Sequence, residues 1–103
     1  MTIQITRRDD AIAIEGEMSI YFAAEMKEQL LATLRADAGT VVLDLAHVTE
    51  IDTCGLQMLL IAQAIATDAG RTFSLKAPSA AVVDVLCLCG LQNLVGTATK
   101  RAA

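Results

Sequence analysis

The 103-residue sequence predicts a single α/β domain with a central mixed sheet of four or five strands and helices mainly on one face. The chain has the length of one domain, and a composition of 54% hydrophobic and 19% charged residues is apolar enough to build one core. Short β-rich runs also alternate with segments of helical periodicity. Because parallel strands need long crossovers, which helices supply, this alternation indicates helices packed on a mostly parallel sheet.

A β-hairpin is predicted at the start of the chain. The runs Ile3–Thr6 and Ala11–Glu15 place isoleucine at every second position, which is the period of a strand with one buried face. The polar residues 7–10 form the predicted turn between them.

The first helix and the central strand follow. A helix is predicted from about Ile20 to Asp37, where apolar side chains recur at the spacing of an amphipathic helix. Ser19 is placed to cap its start and Gly39 to end it. The run Thr40–Leu45 is almost continuously aliphatic and β-branched, which is typical of a strand covered on both faces.

Two more helices and one more strand are predicted. The second helix runs from about Thr53 to Asp68 and ends at Gly70. Residues 71–76 alternate as a strand, and Ser79 caps a third helix that reaches about Cys89.

The predicted domain covers residues 1–96, with Val95 in a last short strand. Residues 97–103 lack periodicity and are predicted to be a frayed tail. Apolar runs such as Met58–Ala62 are far shorter than the roughly 20 residues of a membrane span. We therefore expect a cytoplasmic protein that does not insert into a membrane.

Charge and cysteine content exclude further classes. Eight Lys and Arg against twelve Asp and Glu give a formal charge of −4, which does not fit the basic surface of a nucleic-acid binder. The cysteines Cys54, Cys87 and Cys89 are odd in number and form no Cys-x-x-Cys pair. Disulfide and metal sites are therefore disfavoured, and the three are interpreted as packing residues.

Enzymatic chemistry finds little support in the sequence. His47 is the only histidine, which removes multi-histidine metal sites and most catalytic triads. It is predicted to lie in a loop or at a sheet edge. Asp44, Glu50 and Asp52 cluster in sequence, but they are interpreted as a strand residue, a solvated residue and a helix cap. The scattered glycines match no phosphate-binding loop, so we predict no catalytic residue, no cofactor and no metal ion.

The segment Ile51–Gln57 is the most informative. Thr53 begins a helix, where the helix dipole and free N–H groups favour an anion, so a phosphate on its hydroxyl would be stabilised. A threonine at a helix start is more often only a cap. The local physics leaves both interpretations open.

Both sides of this second helix are apolar when it is drawn at 100° per residue. One side carries Leu56, Leu59 and Leu60, and the opposite side carries Cys54, Met58, Ile61 and Ile65. A helix on the surface of a small sheet buries only one side, so we predict that the bulkier leucine side is buried and the other faces outward beside Thr53. Charged replacements at Met58 or Ile61 are then expected to spare folding. A helix enclosed entirely within the fold is the alternative.

Four segments of the chain resemble the STAS domain family, named for sulfate transporters and anti-sigma-factor antagonists. They are Glu15–Met18, Val42–Leu45, Ile51–Leu56 and Cys89–Leu91. The family motif is an Asp, a Ser or Thr, a small residue, a Gly and a Leu, and Asp52 to Leu56 fits it at every position. In anti-sigma-factor antagonists the hydroxyl residue matching Thr53 is phosphorylated by a partner kinase that is also the anti-sigma factor, and phosphorylation breaks the complex. The resemblance implies a non-enzymatic regulatory module with the same phosphorylation site.

The chain departs from the antagonists at Ser19, where they usually carry an Asp. It also resembles stand-alone STAS proteins of chemotaxis-type signalling. A third similarity is to the small STAS subunit of bacterial phospholipid-transport ABC complexes, which grips the ATPase through a Thr at the position of Thr53. The sequence leaves these branches open.

The helical pattern and the resemblance together predict a docking surface at the start of the second helix. Its predicted residues are Ser19, Asp52, Thr53, Cys54, Gly55, Gln57, Met58 and Ile61. The implied partner is a protein: a serine/threonine kinase-type anti-sigma factor, a chemotaxis component or an ABC ATPase. No nucleic acid is implied, and a weak homodimer is left open.

Overall fold

A computed structural model describes residues 3–8, 10–36 and 39–91. These residues form a four-stranded mixed sheet in the order β1-β2-β3-β4, with three α-helices and one short 3₁₀ turn. The elements are β1 (Ile3–Arg8), β2 (Ala11–Met18), the 3₁₀ turn (Ile20–Phe22), α1 (Ala23–Arg35), β3 (Val41–Ile51), α2 (Thr53–Asp68), β4 (Phe73–Lys76) and α3 (Ala80–Leu88). The predicted α/β class is confirmed.

The sheet combines a hairpin with parallel crossovers, as predicted. β1 and β2 are antiparallel with Ile5 opposite Ile14, while β2 and β3, and β3 and β4, are parallel. The predicted strand at Val95 and the predicted tail lie outside the described residues.

The hydrophobic core lies between the sheet and the helices. Its fully buried members include Ile12, Ile14, Met26, Leu30, Leu43 and Leu59. The chain crosses from β2 to β3 to β4 in one direction, so right-handed crossovers place α1 and α2 on the same face, and these two helices contact each other. The shorter α3 packs against β3 with Val82 and Leu86 fully buried.

The central strand is longer than predicted. β4 pairs with β3 only from Val41 to Asp44, but β2 continues to pair with β3 as far as Met18 opposite Ile51. This pairing keeps the polar second half of β3 extended. His47 lies within β3 as an exposed residue, so the loop alternative predicted for it is wrong. The edge alternative agrees with the described sheet, because β4 does not pair with this part of β3.

The first helix starts later than predicted. Residues 20–22 form the 3₁₀ turn, and α1 begins at Ala23. Ser19 precedes the turn without capping it, since its Oγ donates instead to Glu17 Oε2 at 2.6 Å. The end of α2 agrees with prediction, because Gly70 follows it in the left-handed region at φ +73°.

The cysteine interpretation fails for two of the three residues. Cys54 is half-buried at the start of α2, but Cys87 and Cys89 are exposed free thiols at the end of α3. Within residues 3–8, 10–36 and 39–91 no group of three His, Cys, Asp or Glu side chains is arranged to hold a metal ion. No helix in the same ranges is long and apolar enough to cross a bilayer.

Candidate protein-docking site

Asp52 forms hydrogen bonds with three elements at the carboxyl ends of the parallel strands β2 and β3. Its Oδ1 accepts hydrogen bonds from the backbone N–H of Cys54 at 2.9 Å and Gly55 at 3.2 Å, and so caps α2 as predicted. Its Oδ2 accepts from the N–H of Ile20 at 3.0 Å, and its own N–H donates to Met18 O at 3.1 Å. One residue thus fixes the start of α2, the end of β2 and the 3₁₀ turn relative to one another.

Gly55 allows α2 to start directly against β2. A Cβ built on Gly55 would lie under 3.0 Å from Met18 O, Met18 Cβ and Ile51 Cγ1. Two of these atoms belong to Met18, which also accepts the hydrogen bond from Asp52. A side chain at position 55 would therefore push α2 away from the strand that positions it.

Thr53 is exposed as the first residue of α2. The amides of Cys54 and Gly55, which a phosphate at a helix start would otherwise bind, already donate to the Asp52 carboxylate. A phosphate on Thr53 would lie beside that carboxylate and project toward solvent. The helix dipole still favours such a phosphate, but Asp52 opposes it.

The buried side of α2 includes Leu56 and Leu59, as predicted, but it is turned around the helix axis so that Met58 and Ala62 are buried with them. Its buried residues are Gly55, Leu56, Met58, Leu59, Ala62 and Ala66. Three of them are small, and small residues let a helix axis approach a sheet closely. The predicted choice rested on side-chain bulk, whereas the spacing of Gly55, Ala62 and Ala66 was the signal that could have oriented the helix.

The predicted orientation of Met58 must be corrected. Its side chain is only 6% exposed and packs in the core, so the outward orientation predicted for it is wrong. Ile61 is 43% exposed, as predicted, and Gln57 is also exposed. Cys54 and Ile65 are half-buried. A charge at Met58 is therefore expected to disrupt folding, contrary to the prediction from sequence.

Two exposed apolar residues were missed. Ile20 is 63% exposed and Tyr21 is 84% exposed in the 3₁₀ turn, which Asp52 holds beside the start of α2. The sequence interpretation had placed both in a regular helix. The sequence did contain a sign of this exposure. Ile20 and Tyr21 are adjacent, and two adjacent residues of an amphipathic helix do not both point toward the core.

The exposed residues around the start of α2 define one surface. We call Ile20, Tyr21, Thr53, Gln57 and Ile61 the docking surface. Two further predicted members, Ser19 and Gly55, are buried beneath it, and Asp52 is half-buried at its edge. These three position the surface, and the side chain of Ser19 in the predicted bordering loop is only 6% exposed.

The carboxylates do not form a catalytic pair. Asp52 uses both of its oxygens on backbone amides, and Asp44 Oδ1 accepts from the backbone N–H of Ala46 at 3.1 Å. Glu50 is exposed and lies opposite Glu17 in the pairing of β3 with β2. The edge of the sheet beside the docking surface is therefore acidic.

Comparison with known proteins identifies the family of this chain. The family model described as "Mlab, STAS domain" matches residues 1–96. The chain belongs to this STAS family. No curated protein matches the chain in sequence.

Solved structures share the fold of this STAS domain. The anti-sigma factor antagonist SpoIIAA in its unphosphorylated form superposes with a TM-score of 0.72 at 15% identity, covering 92% of this chain and 86% of that one. The crystal structure of TM1081 from Thermotoga maritima, described as an anti-sigma factor antagonist, gives 0.73 at 24% identity over 90% and 82% of the two chains. Its NMR structure gives 0.68 at 24% identity over 88% and 75%. The STAS domain described here thus has an anti-sigma-factor-antagonist-like fold.

Proposed function

We propose that this STAS domain is a non-enzymatic regulatory module of the anti-sigma-factor-antagonist type. It binds a signalling protein, a kinase-type anti-sigma factor or a chemotaxis-type component, through the docking surface, and phosphorylation of Thr53 controls the complex. The observation that supports this proposal is an exposed hydroxyl at the first position of α2, between the exposed apolar residues of the 3₁₀ turn and Ile61.

The exposed apolar side chains suit a protein partner. Tyr21 and Ile20 stand largely in solvent, and the Asp52 carboxylate already holds their turn, so little backbone conformational freedom is lost when a partner covers them. Aromatic residues on a fixed backbone are frequent binding hot spots. Ile61 extends the apolar area along α2, and Gln57 supplies a polar contact between it and Thr53.

Phosphorylation of Thr53 would act on the complex and spare the fold. It adds about two negative charges at neutral pH. Asp52 already occupies the amides of Cys54 and Gly55, so those groups do not neutralise the new charge. The phosphate therefore faces the partner, and burying it against an apolar or acidic partner surface costs several kcal/mol. The complex dissociates while α2 keeps its cap.

Two specific observations favour a second candidate function. The family model that matches residues 1–96 carries the description "Mlab, STAS domain", and Ser19 stands where antagonists usually carry an Asp. In this alternative the domain is the STAS accessory subunit of a phospholipid-transport ABC complex. Thr53 then stays unmodified, and its hydroxyl hydrogen-bonds the ATPase in a constitutive contact.

Partner capture from the source cell separates the two functions. The bait is the purified STAS domain as wild type, Thr53→Ala and Thr53→Glu, and captured proteins are identified by mass spectrometry. Thr67→Glu is the matched control, because Thr67 is exposed on the same helix, 14 residues after Thr53. The intact mass of the native protein is recorded in parallel.

Each outcome assigns one function. Loss of an anti-sigma kinase or chemotaxis component with Thr53→Glu alone, together with a phosphate mass increment, supports the switch. Capture of an ABC ATPase that is lost with both Thr53 variants, without a phosphate increment, supports the constitutive contact. Capture that responds to neither Thr53 variant, or that Thr67→Glu abolishes equally, refutes the docking role of Thr53.

A further inference from the structure

A groove lies between the carboxyl-terminal ends of α1 and α2, away from the docking surface. Its volume is about 580 Å³, within the roughly 300–1,000 Å³ that is typical of small-molecule sites. Ile65 in its wall follows Thr53 by 12 residues, which is about 18 Å along the axis of α2 at 1.5 Å per residue. The groove therefore does not include Thr53, and its occupancy can be tested separately from the proposed switch.

The lining of the groove is apolar with two cations. Its apolar residues are Leu31, Leu34, Ile65 and Ala69. The charged residues are Arg35 and Arg71, and the described lining contains no carboxylate. Such a lining suits a ligand that carries both an apolar body and a negative charge.

Arg71 is held in place by backbone carbonyls. Its Nε donates to Gly39 O at 2.7 Å, and its Nη1 donates to Leu34 O at 2.9 Å near the end of α1. Its own backbone N–H donates to Ala66 O at 2.8 Å near the end of α2. The guanidinium is thus fixed between the two helix ends that form the groove.

One nitrogen of this guanidinium has no partner. Arg71 Nη2 is buried and makes no hydrogen bond within the described part of the chain, and neither Arg71 nor Arg35 forms an ion pair there. A buried donor without a partner is costly, and a cation without a counter-charge in a low-dielectric wall raises the local positive potential. Arg35 is exposed beside it, within reach of a ligand that enters from solvent.

We propose that this groove binds an amphiphilic anion. A carboxylate or phosphate headgroup lies beside Arg35 in the positive potential of Arg71, and an alkyl body covers the apolar wall of Leu31, Leu34 and Ile65. The ligand supplies the counter-charge that the described lining lacks, and its apolar body keeps water from screening the arginines. Neither an inorganic anion nor a neutral alkyl chain satisfies both parts of the groove.

The test uses the whole chain with four defined probes and one shorter homologue, octanoate. Decanoate and decyl phosphate carry both features, inorganic phosphate carries only the charge, and 1-decanol carries only the chain. Binding is followed by backbone amide shifts in ¹⁵N NMR spectra, with Gly39 and Gly70 as reporters in the lining. We expect saturable shifts there with decanoate and decyl phosphate, and affinity at least tenfold weaker for the other two probes. Octanoate, which is two methylenes shorter, should bind more weakly than decanoate by about fifteenfold, since each buried methylene contributes about fourfold.

Variants identify the groove as the site. Arg35→Gln should weaken decanoate binding at least tenfold, whereas Lys27→Gln, which removes an exposed cation of α1 outside this lining, should leave it unchanged. Ala69→Trp fills the groove from an exposed position and should also abolish binding. Circular dichroism verifies that each variant is folded. The proposal is overturned if 1-decanol or inorganic phosphate binds as tightly as decanoate, if Arg35→Gln and Lys27→Gln behave alike, or if Ala69→Trp still binds.

Discussion

Replacing Gly55 by alanine tests whether the start of α2 is fixed by its close approach to β2. The added methyl group would meet Met18 O, Met18 Cβ and Ile51 Cγ1 at under 3.0 Å. None of these atoms is the free end of a flexible chain, so the helix start must shift. We expect the variant to be destabilised even though alanine is the better helix former.

The expected change in the free energy of unfolding follows from one stabilising and two destabilising contributions. Gly to Ala in a helix stabilises by up to about 1 kcal/mol. Overpacking of a tight contact costs about 1–3 kcal/mol. A shift of α2 also weakens the hydrogen bond from Asp52 N–H to Met18 O, which contributes on the order of 1 kcal/mol. The free energy of unfolding should therefore fall by about 2 kcal/mol, which lowers the Tm of a domain this size by about 10 °C.

Urea unfolding followed by circular dichroism measures this change, with the m-value as a check on two-state behaviour. Ala64→Gly is the matched control, because Ala64 is exposed in the middle of the same helix. Ala64→Gly measures the difference in helix propensity between alanine and glycine without a tight contact. It should lower the free energy of unfolding by about 1 kcal/mol. If Gly55→Ala is as stable as the wild type or more stable, the close approach to β2 does not fix the helix start and the reasoning is refuted.

Three further predictions concern the same region. Asp52→Ala should lower the free energy of unfolding by about 2 kcal/mol in urea titrations, since it removes a helix cap and the bond to Ile20; an unchanged midpoint would contradict the bridging role. Met58→Glu should leave the protein largely unfolded by circular dichroism because it buries a charge, whereas Ile61→Glu should stay folded, and equal stability of the two would contradict the orientation of α2. Thr53→Glu should change the free energy of unfolding by at most about 0.5 kcal/mol, and a large loss of Tm would show that Thr53 has a structural role.

Local patterns in the sequence were enough to predict the elements and their order. The hairpin, the buried strand β3 and the three helices depend on periodicity and on turn residues that act over a few positions. The caps at Asp52 and Ser79 and the left-handed Gly70 are local in the same sense, and the structure confirms them. The Asp52 to Leu56 motif likewise marked the start of α2 as the region to examine.

Tertiary contacts decided the orientation of α2 and the make-up of its exposed surface. Periodicity groups residues into sides of a helix, but the side that is buried depends on how closely the helix can approach the sheet. The small residues Gly55, Ala62 and Ala66 face inward for this reason, which buries Met58 with them and leaves Ile61 outside. The sequence could not show this, because the atoms that crowd Gly55 belong to Met18 and Ile51 and meet it only after folding.

The exposed turn and the arginine of the groove are also positioned by contacts between residues that are distant in sequence. Ile20 and Tyr21 stay in solvent because Asp52, 32 positions along the chain from Ile20, holds the turn in place. Arg71 acquires its fixed position from carbonyl groups at Leu34 and Gly39 that are distant in sequence. The sequence by itself determined which segments become strands, helices and caps, since these depend on interactions between near neighbours. Only the folded chain determined which side chains are left exposed or unpaired, since that depends on how separate segments fill the space between them.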